Sequence, residues 1–286
     1  MKILVTGHKG FVGRHFMKTF HGHNIVGLDI KNGNDVRTFF KVDETHFDLV
    51  IHLAAVVGGR ATIDGQPLKV ATDLAIDSDM FQWALRTRPD RVIYYSSSAA
   101  YPIAYQTHSM KYHLTESHIN LDSIMNPDQT YGWAKLTGEI LARHAEAEGL
   151  RVHVFRPFSG YGETQDLDYP FPSFIRRAQE KEPVFDIWGN GEQVRDFIHI
   201  DDIVSATLKA VKEDIPGPIN LGTGVPTSFN KLAEMVTEAA GYTPEFNHIL
   251  DAPEGVAYRV CDPTKMLSFY KPKVTLEEGI ARALKK

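Results

Sequence analysis

Short continuous apolar runs and helically spaced apolar stretches take turns along the first half of this chain. Runs of the first kind occupy Ile3-Leu4-Val5-Thr6, Asn24 to Leu28, Asp48 to Ala55 and Arg91 to Tyr95. Uninterrupted β-branched and apolar residues of this length suit strands buried on both faces of a parallel sheet. Between them, Phe16 and Phe20, and later Leu74, Met80, Phe81 and Ala84, recur at helical spacing. Strands alternating with helices through residue 156 predict an α/β fold, a Rossmann-type doubly wound parallel sheet. Its ligand would sit at the carboxyl ends of the strands. A domain carrying that sheet is expected over residues 1–156. Residues 157–286 are expected to form mainly a smaller C-terminal substrate-binding lobe, interleaved with late sheet elements.

The turn after the first run carries the first chemistry. Gly7-His8-Lys9-Gly10-Phe11-Val12-Gly13 follows a strand and opens a helix. Glycines there allow a tight turn, approach of a pyrophosphate to backbone N–H groups, and close helix–strand packing. The spacing Gly-x-x-Gly-x-x-Gly differs from the usual dinucleotide fingerprint in its first interval, so its context carries the assignment. Asp29 ends the second strand, where a carboxylate can accept the adenosine ribose hydroxyls and would repel a 2′-phosphate. NAD is therefore expected rather than NADP. His52 reads as a core histidine satisfied by backbone.

Tyr131-Gly132-Trp133-Ala134-Lys135 places a phenol and an ammonium one helical turn apart on one face. The ammonium should stabilise the phenolate and draw the tyrosine pKa toward the working pH. Such a phenol can take a proton from an alcohol and return it.

With 286 residues, 43% of them hydrophobic, the chain can bury a large core, and a net charge of −5 argues against nucleic acid as its main partner. One cysteine, Cys261, permits no internal disulfide framework and fits a reducing cytoplasm. No signal peptide or bilayer-spanning segment is expected, since Lys2 to Thr6 already reads as fold. No metal site is read from the sequence.

The glycine loop, Asp29, the strand-ending Ser96-Ser97-Ser98 and YGWAK together resemble an extended short-chain dehydrogenase/reductase. Within that group the chain is similar to the NAD-dependent sugar-nucleotide epimerase/dehydratase branch, over nearly its whole length. Phe155 to Gly162, Trp188 to Asp202, Ile219 to Gly224 and Asp262 to Lys265 fit that branch as well.

The resemblance implies a catalytic set of Tyr131, Lys135 and Ser97, with Ser98 as the fallback for the serine. It implies NAD contacts at Gly7, Lys9, Gly10, Phe11, Val12 and Gly13. Further cofactor contacts would come from Asp29, Asp35 and Val36, and from Leu53, Ala54 and Ala55. Ser96, Pro157, Tyr131 and Lys135 complete that set. Substrate would meet Ser97, Ser159, Arg195 and Arg259, the two arginines clamping a pyrophosphate.

Relatives that dehydrate carry an Asp-Glu pair after the serine, and GDP-fucose synthase and GDP-mannose 3,5-epimerase carry a cysteine base. Here those positions are Ser98 and Ala99, although His52 to Gly59 and Ser98 to Pro102 otherwise look like the GDP-sugar enzymes. With no second acid/base, a 4-keto sugar can only be reduced again, which makes 4-epimerisation of a UDP-sugar the favoured expectation. A GDP-sugar epimerase or reductase recruiting His108, His113 or His118 is the alternative, and a non-catalytic NAD-binding scaffold the rival of another class. The family usually has an asparagine where Ser159 stands, and commonly another near Asp73, on the helix packing under Lys135. Asp201 and Asp202 are expected to cap a helix beginning near Ile203. A homodimer through the helix carrying Tyr131 and the one before the Ser97 strand is common in the family.

Overall fold

Six parallel strands build the central sheet, and their buried residues explain the order. A computed structural model describes residues 1–286. The sheet strands are β1 (Lys2–Thr6), β2 (Asn24–Leu28), β3 (Leu49–His52), β4 (Val92–Tyr95), β6 (Val152–Pro157) and β10 (Ile219–Leu221), in the order β2-β1-β3-β4-β6-β10. Successive side chains of β1 point to opposite faces. Ile3 and Val5 join a core with Phe16, Ile51, Phe155 and Ile203, whereas Leu4 joins the core on the other face with Val50, Trp83, Val92 and Val154. Both faces are therefore covered, as the uninterrupted apolar runs require. Each large apolar side chain sealed this way contributes roughly 1.5–3 kcal/mol.

Helices α1 (Phe11–Thr19), α2 (Val36–Val42), α3 (Arg60–Gly65), α4 (Pro67–Val70), α5 (Thr72–Thr87) and α6 (Gln129–Ala147) belong to the first half of the chain. Helices α2, α5 and α6 cover one face of the sheet, and α1 with α8 (Ile200–Lys212) covers the other. Chain order reverses between β1 and β3. That switch point opens a crevice at the strands' carboxyl ends, where the sequence pattern placed the ligand.

A second sheet carries the lobe. It contains β5 (His113–Leu114), β7 (Ser159–Tyr161), β9 (Val194–His199), β11 (Pro226–Ser228) and β13 (Tyr258–Cys261), with β9 at its centre. Strand β8 (Val184–Trp188) pairs separately with β12 (Glu245–Ile249). Helices α7 (Pro170–Gln179), α9 (Phe229–Ala239) and α11 (Leu276–Leu284) close its own core around Phe174, Phe185 and Leu232, and α10 (Thr264–Leu267) packs on β10. The two halves trade elements, since β10 enters the central sheet and β5 the lobe.

Two local expectations are corrected. Helix α8 begins at Ile200, capped by His199, so Asp201 and Asp202 lie in its first turn rather than before it. Asp202 is buried and accepts hydrogen bonds from the Tyr270 hydroxyl and from the backbone of Lys273 and Val274, tying the C-terminal segment to the helix. His52 is a core histidine, but side chains satisfy it instead of backbone. The Thr6 hydroxyl accepts from the amides of Leu53 and Ala54, both at 3.1 Å, and lies 3.0 Å from His52 Nδ1. It therefore gives its own proton to Nδ1, and Nε2–H donates to Asp77 Oδ1 at 3.1 Å. No helix is long and apolar enough to cross a membrane.

Candidate active site

The glycine loop meets β3 at the switch point. Gly7 holds φ +68°, and a Cβ there would stand 2.9 Å from the Leu53 carbonyl carbon. Any side chain would close the crevice between β1 and β3. A Cβ on Gly13 would overlap the Gly7 carbonyl, so that glycine lets α1 dock on the turn. Helix α1 has Gly10 at its N-cap, no side-chain cap and no acid in its first turn. Its first N–H groups and positive dipole end are left for an anion.

Asp29, 6% exposed, accepts from the Lys9 amide through Oδ2 and from the Lys31 amide through Oδ1, both at 2.9 Å. One acceptor position per oxygen stays open for a ribose diol. The same carboxylate thus fixes the glycine loop. These features fit NAD: a cradle that Cβ atoms would fill, an uncapped helix start and an acid at the second strand's end.

Leu53, Ala54 and Ala55 stand half-buried at the end of β3, and Pro157 at the end of β6. Val36 is buried at the start of α2. The Asp35 carboxylate caps that helix and pairs with Arg37 at 2.6 Å, so its side chain is already committed. Ser96 turns its hydroxyl away from the crevice to Glu139 Oε1 at 2.5 Å, leaving only its backbone to face a cofactor.

Helix α6 brings Tyr131 to Ser97. Gly132 lies against the Ala99 carbonyl, and Gly138 against Tyr94 and Asp77, so the helix sits close to both. The Ser97 hydroxyl lies near enough to the Tyr131 phenol to lower its pKa, and its oxygen accepts from the Ala99 amide at 3.1 Å. Ser98 is buried at 6% exposure, whereas Ser97 is half-buried. Lys135 is 4% exposed, with Nζ 5.4 Å from the Tyr94 ring centre. Burial alone would lower its pKa, yet Asp77, Tyr131 and Asp73 together hold it above the ordinary value.

The phenol behaves differently from the expectation. Its pKa stands above the ordinary 10.0, pushed up first by burial and further by Asp73 and Asp77, while Lys135 and Ser97 pull it down. One ammonium is outweighed by a dry site with two carboxylates behind it. Tyr131 is thus a protonated phenol in the cofactor-free chain.

The lobe supplies a cationic wall. Strands β9 and β13 run parallel in a register that sets Arg195 directly beside Arg259. A third guanidinium, Arg60, joins them from α3, and Asp128 bridges two of the three: Oδ1 takes Arg60 Nη1 at 2.8 Å and Oδ2 takes Arg259 Nη2 at 2.7 Å. Arg60 also pairs with Asp64 at 2.7 Å. Arg195 has no carboxylate, only the carbonyls of Val194 and Val256 at 2.8 Å and Glu254 at 3.4 Å. Burial, then the neighbouring Arg259 and Arg60, push its pKa down to about 9 despite Asp128. A guanidinium in that position remains charged at neutral pH and calls for an anion.

Sequence reasoning missed Arg60, which follows Gly58-Gly59 with no motif of its own. It also missed Tyr169, the residue before α7, which lies near enough to Tyr131 to perturb it. Burial raises the Tyr169 pKa, with Tyr131, Asp166 and Asp168 adding to the effect and no cation opposing it. It stays protonated and can donate a hydrogen bond. Ser159 stands half-buried at the start of β7, opposite Phe197 of β9.

A doubly wound sheet with a glycine-loop crevice, a Ser–Tyr–Lys set at its strand ends and an arginine wall above defines an NAD-dependent enzyme of the short-chain dehydrogenase/reductase type. Residues 3–222 match the profile of the NAD dependent epimerase/dehydratase family, and the chain belongs to that family. Among curated proteins it is similar to GDP-mannose 3,5-epimerase of Arabidopsis thaliana, 28% identical over 98% of this chain and 80% of that protein. Among solved structures it resembles the UDP-glucose 4-epimerase of Thermotoga maritima in complex with UDP-glucose, at 26% identity and a TM-score of 0.83, covering 100% of this chain and 98% of that one. It also resembles the Bacillus cereus UDP-glucuronic acid 4-epimerase in complex with UDP-glucuronic acid and NAD, at 26% identity, TM-score 0.82 and the same coverage.

Proposed function

We propose that this protein epimerises a nucleotide-activated sugar at C4 through a transient 4-keto sugar, with Tyr131 as the acid/base. The observation that carries the reading is the residue set around that phenol. Ser97 and Lys135 both lie near enough to act on it, and buried Ser98 and Ala99 offer neither carboxylate nor thiol. Tyr169, a further phenol near Tyr131, has acids rather than a cation beside it and serves as a hydrogen-bond donor.

Bound NAD supplies the hydride acceptor and a positive charge near the phenol. Tyr131 takes the C4 hydroxyl proton and later gives it back. Ser97 donates a hydrogen bond to the sugar oxygen as it becomes a carbonyl. Lys135 keeps an ammonium under the phenol, and Arg195 and Arg259 hold the diphosphate while the sugar ring turns over between the two hydride steps. Asp29 sets NAD ahead of NADP.

A UDP-sugar is the favoured substrate, supported by the likeness to two UDP-sugar 4-epimerases. The GDP-sugar reading has support in the similarity to GDP-mannose 3,5-epimerase. We also propose a cytoplasmic location and a homodimer through α5 and α6, the latter in accord with Leu74 and Trp133, which stand 39% and 43% exposed on those helices.

The test is incubation with UDP-, GDP-, dTDP- and CDP-sugars, with products resolved by chromatography and NMR. A C4-inverted product of unchanged mass, formed without added NADH, is expected. Inversion at C3 or C5, or a demand for NAD(P)H, would move the protein to the GDP-sugar reading, and loss of water would make it a dehydratase. Each of these overturns the C4 reading. NAD binding with no turnover of any sugar would point to a scaffold.

A further inference from the structure

Asp73 is a carboxylate of the catalytic centre that the mechanism leaves unused, and, unlike its neighbour Asp77, it has an unpartnered oxygen. It lies in the first turn of α5 and is fully buried, at 0% exposure. Oδ1 accepts the Val56 amide at 2.6 Å, whereas Oδ2 has no hydrogen-bond partner. One turn on, Asp77 is satisfied at both oxygens, by His52 and by the Tyr94 hydroxyl at 2.5 Å. The contrast within one helix face matters. A buried carboxylate oxygen without a donor is costly as a charge and tolerable as an O–H.

We propose that Asp73 is a positioning residue of the catalytic centre: by taking up or releasing a proton at its unpartnered Oδ2, it acts on Lys135 and sets how readily Tyr131 gives up its own proton. The proposal rests on the reading of Tyr131 as the acid/base.

The groups that face Asp73 are few. Helix α6 presents Lys135 and Tyr131, and its own helix presents Asp77. Behind Asp77 stand His52 of β3 and Tyr94 of β4. The loop after β3 offers only the Val56 amide, and the one charged residue of α4, Lys69, is exposed. Helix α2 packs on the other half of α5, where Arg37 senses Asp79.

Ionised, Asp73 adds a second negative charge beside Lys135, favouring the ammonium and opposing the phenolate. Protonated, it removes that opposition. Burial raises its carboxyl to about 6 against the pull of Lys135, so the change falls just below neutral pH. The step is a single proton exchanged with solvent at Oδ2, and no other bond changes.

The experiment is a carbon-13 NMR titration of the full-length protein, with and without added NAD. Aspartate Cγ and tyrosine Cζ are labelled, and Asp73→Asn and Tyr131→Phe assign the two signals. The expected result is an Asp73 signal titrating near pH 6 and a Tyr131 signal that shifts through the same midpoint. In Asp73→Asn, Tyr131 should ionise at lower pH than in the wild type. An Asp73 signal titrating in the ordinary carboxylate range, or a Tyr131 signal blind to it, overturns the proposal. If Asp73→Asn does not fold, the shared midpoint in the wild type decides alone. Coupling that is absent while Tyr131→Phe is inactive refutes this inference only. Coupling that is present while Tyr131→Phe turns substrate over refutes the reading of the site.

Discussion

Glu139→Gln should strongly destabilise this protein although it keeps side-chain shape. Glu139 and Arg156 are each 1% exposed and lie 2.6 Å apart, on α6 and β6. The carboxylate accepts three hydrogen bonds: Ser96 Oγ at 2.5 Å and Arg156 Nε at 2.9 Å on Oε1, and Arg156 Nη2 at 2.6 Å on Oε2. Arg156 Nη1 reaches the Tyr101 hydroxyl at 3.1 Å and the Glu116 carbonyl at 2.8 Å, which are dipoles and not charges. An amide at position 139 turns an N–H₂ group toward guanidinium donors and leaves a buried cation unpaired. Breaking a buried pair from one side costs about 3–5 kcal/mol. At roughly 2–4 °C per kcal/mol for a chain near this size, the melting temperature should fall by on the order of 10 °C. Thermal and urea unfolding of the NAD-free protein read this directly. The double variant Glu139→Leu/Arg156→Met should lose less than Glu139→Gln, because no charge is then stranded. A loss below about 1 kcal/mol in Glu139→Gln, or a double variant no better than the single, would refute the argument that the pair is closed to water.

Four further outcomes test the site. Tyr131→Phe should lower turnover by roughly 10²- to 10⁴-fold while NAD binding persists, and near-normal turnover would remove the phenol from the chemistry. Arg195→Ala should weaken nucleotide-sugar binding by about 10- to 100-fold, as loss of a charged hydrogen bond of about 1.5–3 kcal/mol requires, while the chain stays folded with a somewhat lower melting temperature from the backbone carbonyls left unpaired. Unaltered binding would take Arg195 out of the anion site. Asp29→Ala should erode the preference for NAD over NADP and loosen the glycine loop that its carboxylate holds through the Lys9 amide, and undiminished preference in binding titrations would contradict that role. Finally, the Asp73 carboxyl is raised by burial from 3.8 to about 6, so between those values the folded chain binds the extra proton. Its contribution to stability is complete below pH 3.8 and is lost as pH rises through about 6, a change of about 3 kcal/mol at 1.36 per unit. Asp73→Asn should therefore melt higher than wild type at pH 7.5, and the gap should close toward pH 4; a gap independent of pH would contradict the assignment.

Local rules made much of this molecule legible from residues alone. An uninterrupted apolar run has to be buried on both faces, which is what β1 does when Ile3 and Leu4 enter opposite cores. Glycines between a strand and a helix start restrict what the turn can do, and Gly7 at φ +68° meets that restriction. Four-residue spacing puts Tyr131 and Lys135 on one helix face wherever the helix goes. What that spacing could not convey is the electrostatic sum. The phenol's pKa moves up, against the expectation from its lysine, because α5 brings Asp73 and Asp77 behind it and the fold removes water. Arg195 and Arg259 become neighbours only through the register of β9 and β13, and Arg60 joins them only because Asp128, at the head of the Tyr131 helix, bridges two strangers in sequence. Backbone conformation and burial pattern depend on residues within a turn or two, so they can be read from neighbours along the chain. Charge interactions and dielectric depend on whatever the fold assembles within a few ångströms, and in this protein those groups come from distant segments, Arg60 and Asp128 being 68 residues apart and Asp128 and Arg259 131.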